Sequence, residues 1–214
     1  MINRYNKEFE RAIKNMNKVA GVEIIKDVEL KVIDDCKDFS LGKVLKHCPN
    51  IIYLNNFFLQ DRRRDKIYNV ICHELCHSIL GNIFEDTATA VINSDWSNDE
   101  SPIFCLIVKW FNENGFRISQ NYNTNSKFKC NMEFINKMAN RSFTEVLDFI
   151  IEFREHIIKK QDNGLNIGLI NKLDITLNGK YRSYKETVFN KNIIKLGNDF
   201  KLEEYKEFIE ILSE

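Results

Sequence analysis

The sequence predicts an α+β domain with a mostly helical C-terminal extension, and three observations carry that reading. An amphipathic helix opens the chain, with Phe9, Ile13, Met16 and Val19 in one stripe. Three short segments of strand-like composition follow: Val28 to Asp34, Gly42 to Cys48 and Asn50 to Asn55. Lys66 to Leu80 then runs without Gly or Pro, and its apolar positions Ile67, Val70, Ile71, Leu75 and Ile79 recur at helical spacing.

The opening helix is expected over Asn6 to Val19, with Gly21 as its stop. The third strand is β-branched and apolar enough to be central in a small three-stranded sheet. Gln60 to Asp65 carries an arginine triplet, Arg62 to Arg64, flanked by aspartates; this reads as a solvated helix start more readily than as a nucleic-acid contact. Gly81 is the expected end of the long helix, and Ile83 to Ile92 a second, short one. Asn93 to Pro102 is polar and turn-prone. Ile103 to Phe111 is a strongly apolar helix with Ser101 as N-cap, Pro102 as its first residue and Asn114-Gly115 as its stop.

From Asn121 the composition turns polar, so the expected boundary separates a domain over 1–124 from an accessory region over 125–214. Met132 to Ala139 and Ser142 to Lys160 read as helices, the second with Phe143, Val146, Leu147, Ile150 and Ile151 on its apolar face. Leu173 to Leu177 and Thr187 to Leu196 read as a small β element, and Leu202 to Leu212 as an amphipathic helix.

Composition bounds the function. The 214 residues are 43% hydrophobic and include sixteen phenylalanines, enough for a sizeable core. Formal net charge is zero, which argues against a general electrostatic attraction to nucleic acid. No apolar run approaches membrane-spanning length, and the first residues are too polar for a signal peptide. The six cysteines form no Cys-x-x-Cys pair, which excludes a four-cysteine zinc ribbon and leaves reduced thiols in a cytoplasmic protein as the expectation.

The long helix carries His73-Glu74-Leu75-Cys76-His77. Residues four apart on a helix sit one turn above each other on the same face, so His73 and His77 can offer two imidazole nitrogens to one ion. Glu74 can then reach a water beside that ion and take its proton. A catalytic site of this kind needs a third protein ligand. His47, on the second strand, and His156, in a late helix, are the other histidines; the carboxylates Glu85, Asp95, Asp99 and Glu100 are better candidates.

The arrangement resembles the SprT-like family of zinc metallopeptidases, the Spartan-type protease domain. The resemblance runs from about Asn6 to Ser119. It rests on the opening helix, the short strands ending at Leu54, the His-Glu-Leu-Cys-His helix, and Asp99 to Phe104 leading into Phe111-Asn112-Glu113-Asn114-Gly115-Phe116. It implies a zincin-like fold, Zn²⁺ as cofactor, peptide hydrolysis with Glu74 as general base, and protein substrates, among them DNA-associated proteins. The family opens its next helix with His-Gly-x-x-Phe and takes its third ligand from that histidine. Here Glu100 stands in the histidine's place and Ser101 in the glycine's, which makes Glu100 the favoured third ligand and Asp99 its rival. A single-stranded DNA partner would draw on Arg62 to Arg64, Lys127, Lys129, Lys159, Lys160, Tyr122 and Phe128. Two alternatives stand beside this reading. One is a repressor-cleaving peptidase of the ImmA/IrrE kind, which Glu85-Asp86-Thr87-Ala88 resembles; the other is a non-catalytic zinc-binding scaffold.

Overall fold

Helix α1 (Ile2–Ala20) turns Tyr5, Phe9, Ala12, Met16 and Ala20 inward, a spacing of three and four that keeps one face continuously apolar. Val19 falls at the edge of that face and is 38% exposed, so the buried stripe is completed by alanines. The helix ends at Gly21 in a left-handed conformation (φ 71°), and the Asn17 carboxamide ties down the following turn by accepting from the Ile24 and Ile25 amides. The chain is seen here as a computed structural model that describes residues 2–45, 48–84, 99, 102–119 and 132–151.

Strands β1 (Glu29–Ile33), β2 (Gly42–Leu45) and β3 (Cys48–Asn55) form one sheet in the order β1-β3-β2. β3 is central, as its composition predicts, parallel to β1 and antiparallel to β2. It starts before Pro49 rather than after it. A register irregularity at Val44/Leu45 brings Leu45 opposite Cys48, and a proline is tolerated at such an early strand position. Asn55 closes β3 and is 1% exposed. Its carboxamide donates to the carbonyls of Asp35 and Asp38 at 2.8 Å each and accepts from the amides of Asp35 and Phe57. That pins the loop before β2 and caps the short helix α2 (Asn56–Leu59).

Helix α3 (Arg64–Phe84) runs through the middle of the molecule. Ile67, Ile71, Cys72, Leu75, Cys76, Ile79, Leu80 and Phe84 are all buried, spread around the helix rather than along one stripe, because α1, the sheet and the next helix cover different sides. Gly81 does not end it. A Cβ at Gly81 would lie 2.5 Å from the Pro49 Cβ, so this glycine allows the helix to approach β3 closely while continuing for another turn. Ile83 and Phe84 therefore belong to α3, and the remainder of the short helix expected to Ile92 lies outside the described residues.

Helix α4 (Pro102–Glu113) begins at the predicted proline and stops at Gly115 (φ 93°), where the Phe116 amide donates to the Phe111 carbonyl at 3.1 Å. Ser101, the expected N-cap, lies outside the described residues. α4 packs on α3 and on α5 (Met132–Ala139). A further helix, α6, is described over 143–151. Ser142 and Glu145 form a reciprocal capping box at its start, the Ser142 amide donating to Glu145 Oε2 at 2.9 Å and the Glu145 amide to Ser142 Oγ at 3.3 Å. Phe143, Val146 and Ile150 are buried as predicted, whereas Ile151 is 40% exposed. Trp110 Nε1 donates to the Arg141 carbonyl at 2.8 Å and ties this helical corner to α4. The β element and the last helix expected beyond residue 160 lie outside the described residues. No helix among the described residues is long and apolar enough to cross a membrane.

Candidate metal centre

α3 presents His73 and His77 on one side, one turn apart, and their Nε2 atoms lie 3.2 Å from each other. Asp99, in the turn ahead of α4, meets both: its Oδ1 is 2.7 Å from His77 Nε2 and 3.4 Å from His73 Nε2. Among the described residues this is the one group of His, Cys, Asp and Glu side chains close enough together to hold a metal ion. Four ligands around zinc at 2.0–2.1 Å stand about 3.3–3.4 Å apart. Two of the three separations fit that spacing. The third is shorter because His77 and Asp99 are in direct hydrogen bond. Two imidazoles and a carboxylate are an established donor set for catalytic zinc, so the residues fit the ion the sequence implies.

The surroundings hold the histidines in register. The Nδ1–H of His73 donates to the Ser119 carbonyl at 3.0 Å, so in the neutral ring Nε2 carries the lone pair a metal would take, and in the protonated ring the same Nε2–H faces Asp99. Ser119 is placed in turn by Asn112: its carboxamide accepts from the Ile118 amide at 2.7 Å and donates to the Ile118 carbonyl at 3.1 Å. Phe104, fully buried on α4, stacks on the His77 ring (centroids 4.1 Å apart, planes at 16°) and meets His73 edge-on at 5.0 Å. Phe104 and Asn112 both lie in the segments that carry the family resemblance, yet spacing alone gave neither a role; their part is visible only once α4 is laid across α3.

Electrostatics favour a cation here. Burial raises the Asp99 pKa, but hydrogen bonds from both imidazoles outweigh it and hold the carboxyl well below the usual carboxylate range. Burial opposes protonation of His73, yet the hydrogen bond to Asp99 and the charges of Glu74 and Asp99 prevail and hold its pKa above the ordinary value. Glu74 is 5% exposed, and desolvation pushes its carboxyl up despite the neighbouring histidines. A raised carboxyl pKa makes a better base near neutrality.

Of the site residues read from sequence, the structure brings together His73, His77 and Asp99, with Glu74 beside them on the same helix. Glu100, the favoured third ligand, lies outside the described residues, as do Glu85, Asp95, His47 and His156. Among the described residues the carboxylate at the histidines is Asp99, the rival candidate. Cys72 and Cys76 are buried in the core, and burial pushes the Cys72 thiol up to about 12 and the Cys76 thiol well above its usual range. Neither belongs to the cluster of His73, His77 and Asp99. In the native protein Ellman's reagent should react quickly with exposed Cys36 and reach Cys72 and Cys76 only on unfolding; fast native labelling of either would contradict the burial. The arginine triplet is tied to its own neighbourhood: the Arg62 carbonyl accepts from Arg4, and Arg63 pairs with Asp65 at 3.2 Å on the exposed start of α3. The lysines and aromatics considered for a DNA partner, Lys127, Lys129, Lys159, Lys160, Tyr122 and Phe128, lie outside the described residues.

β2 forms one wall beside Glu74. Among the described residues it pairs on one side only, with β3. The Asn55 amide donates to the Leu41 carbonyl at 3.0 Å and the register sets Gly42 opposite Leu54. Alternation along an antiparallel pair then directs the Gly42 N–H and C=O away from β3, toward the open edge.

Comparison of the chain with protein-family models, curated proteins and solved structures gives no match.

Proposed function

We propose that the protein is a zinc-dependent peptidase acting on extended polypeptide, with His73, His77 and Asp99 as the metal ligands and Glu74 as the general base. The observation that carries this reading is the convergence of both Nε2 atoms and the Asp99 Oδ1 on one point, on the helix where Glu74 follows the first histidine. Helix, small sheet and His-Glu-x-x-His helix occur in the order expected of a zincin-like, SprT-like domain, and that order supports the same assignment.

Zn²⁺ held there would act as a Lewis acid toward a substrate carbonyl and would lower the pKa of a nearby water toward about 7. The chain's own groups do the rest. Glu74 accepts the proton of that water and returns it to the leaving amine. Its buried position keeps bulk water from competing for the carboxylate. The outward N–H and C=O of Gly42 can pair with an extended peptide backbone, as an added strand does at a sheet edge, and would lay that backbone past Glu74. Protein substrates bound to DNA belong to the same proposal; a band-shift with single-stranded DNA at low salt tests that part, and no shift removes it.

The direct test is hydrolysis of an unfolded polypeptide such as reduced, alkylated casein. Removal of metal with 1,10-phenanthroline should abolish cleavage, and added zinc should restore it. Cleavage unaffected by the chelator would rule out the proposal.

A further inference from the structure

The space that holds Glu74 is made by a glycine on β2. A Cβ built on Gly42 would stand 2.9 Å from Glu74 Cγ, closer than real Cβ atoms come, and 3.0 Å from Oε1 and 3.2 Å from Cδ, tight contacts that require the glutamate to give way. Gly42 is not in the left-handed region, so no backbone conformation calls for glycine here. The requirement is room. Gly42 opens β2, just after a loop that the Asn55 carboxamide clamps through the Asp35 and Asp38 carbonyls, so the strand cannot easily step back. On the other side α3 is fixed by its buried surroundings, and Glu74 is itself nearly fully buried.

We infer that Gly42 is the positioning residue for Glu74: its bare Cα is the wall that sets where the carboxylate sits, and any larger side chain displaces the carboxylate from the metal centre. The inference rests on the peptidase reading for its consequence, but not for its geometry. Since the Gly42 N–H and C=O face an edge that is unpaired among the described residues, the same residue would meet the substrate backbone and seat the base, so substrate and base would share one reference point. A serine or alanine at 42 keeps the peptide groups for pairing and removes only the room.

The test is a double-mutant cycle on Gly42→Ala and Glu74→Ala, read by thermal melting of the full chain. Alone, Gly42→Ala overpacks the contact and should lower Tm by on the order of 3–10 °C. In the Glu74→Ala background the added methyl meets the space the glutamate left, and the same substitution should be neutral or stabilising. If Gly42→Ala does not fold alone but folds with Glu74→Ala, the inference stands. Equal losses in both backgrounds, no loss in either, or a double variant that does not fold would overturn it. Alongside, Gly42→Ala should retain its zinc and show about a hundredfold lower kcat with little change in KM, since a misplacement near 1 Å is enough for such a loss. A protein without hydrolytic activity would remove the peptidase reading, while the melting cycle would still decide whether Gly42 seats Glu74.

Discussion

Glu74→Gln is expected to lower polypeptide hydrolysis by about 10²–10⁴-fold while leaving zinc bound. Glutamine keeps the size and the confined position beside Gly42 but cannot take a proton. His73, His77 and Asp99 are untouched, so metal content should match that of the native protein. Initial rates on unfolded casein, with metal analysis of the same samples, check both halves. This substitution also separates an enzyme from a zinc-bearing scaffold, because a scaffold would be indifferent to it.

Phe104→Ala should be the most damaging single change that leaves every proposed ligand in place. Phe104 is fully buried, and its ring lies against both imidazoles. Truncating a buried phenylalanine costs about 3–5 kcal/mol through lost transfer energy and the cavity left behind. Here the cavity would open directly against His77, freeing a ring whose orientation the proposed metal centre would need. Urea unfolding should show the stability loss, and competition against a chromophoric chelator should show weaker zinc binding. Phe104→Leu, which keeps most of the volume but not the flat stacking surface, should recover most of the stability and less of the zinc affinity. Equal zinc affinity in all three proteins would show that the ring does not orient the ligands.

The elements of the fold were legible because each is carried by local periodicity. The α1 stripe, the central β3 and the apolar α4 start and stop close to where their residues place them. Ser142 and Glu145 show the same thing on a smaller scale, since a capping box is written in four consecutive residues. Where the reading went astray, the cause was tertiary. Gly81 resembles a helix stop, but it is spent on the approach of Pro49, a residue far away in sequence. Val19 has the right chemistry for the core and falls just outside the arc that α3 covers.

The site was legible in the same proportion. His73, Glu74 and His77 follow from helical geometry alone. The carboxylate opposite them comes from a turn, where no period dictates which acidic residue faces the histidines; Asp99, one of the candidates, does so, and Glu100 lies outside the described residues. Phe104, Asn112 and Gly42 act through contacts between elements. Their chemistry is ordinary in sequence, and only the packing of α4 and β2 on α3 gives each a task.

On the peptidase proposal, two histidines and a carboxylate ahead of α4 form a zinc site. Metal content of protein purified without added zinc, measured for the native chain, His77→Ala, Asp99→Ala and Glu100→Ala, addresses it most directly. About one zinc per native chain is expected, with loss of zinc in His77→Ala and Asp99→Ala and retention in Glu100→Ala. A native chain that takes up no zinc, or a His77→Ala protein that holds it as well as the native one, would contradict it.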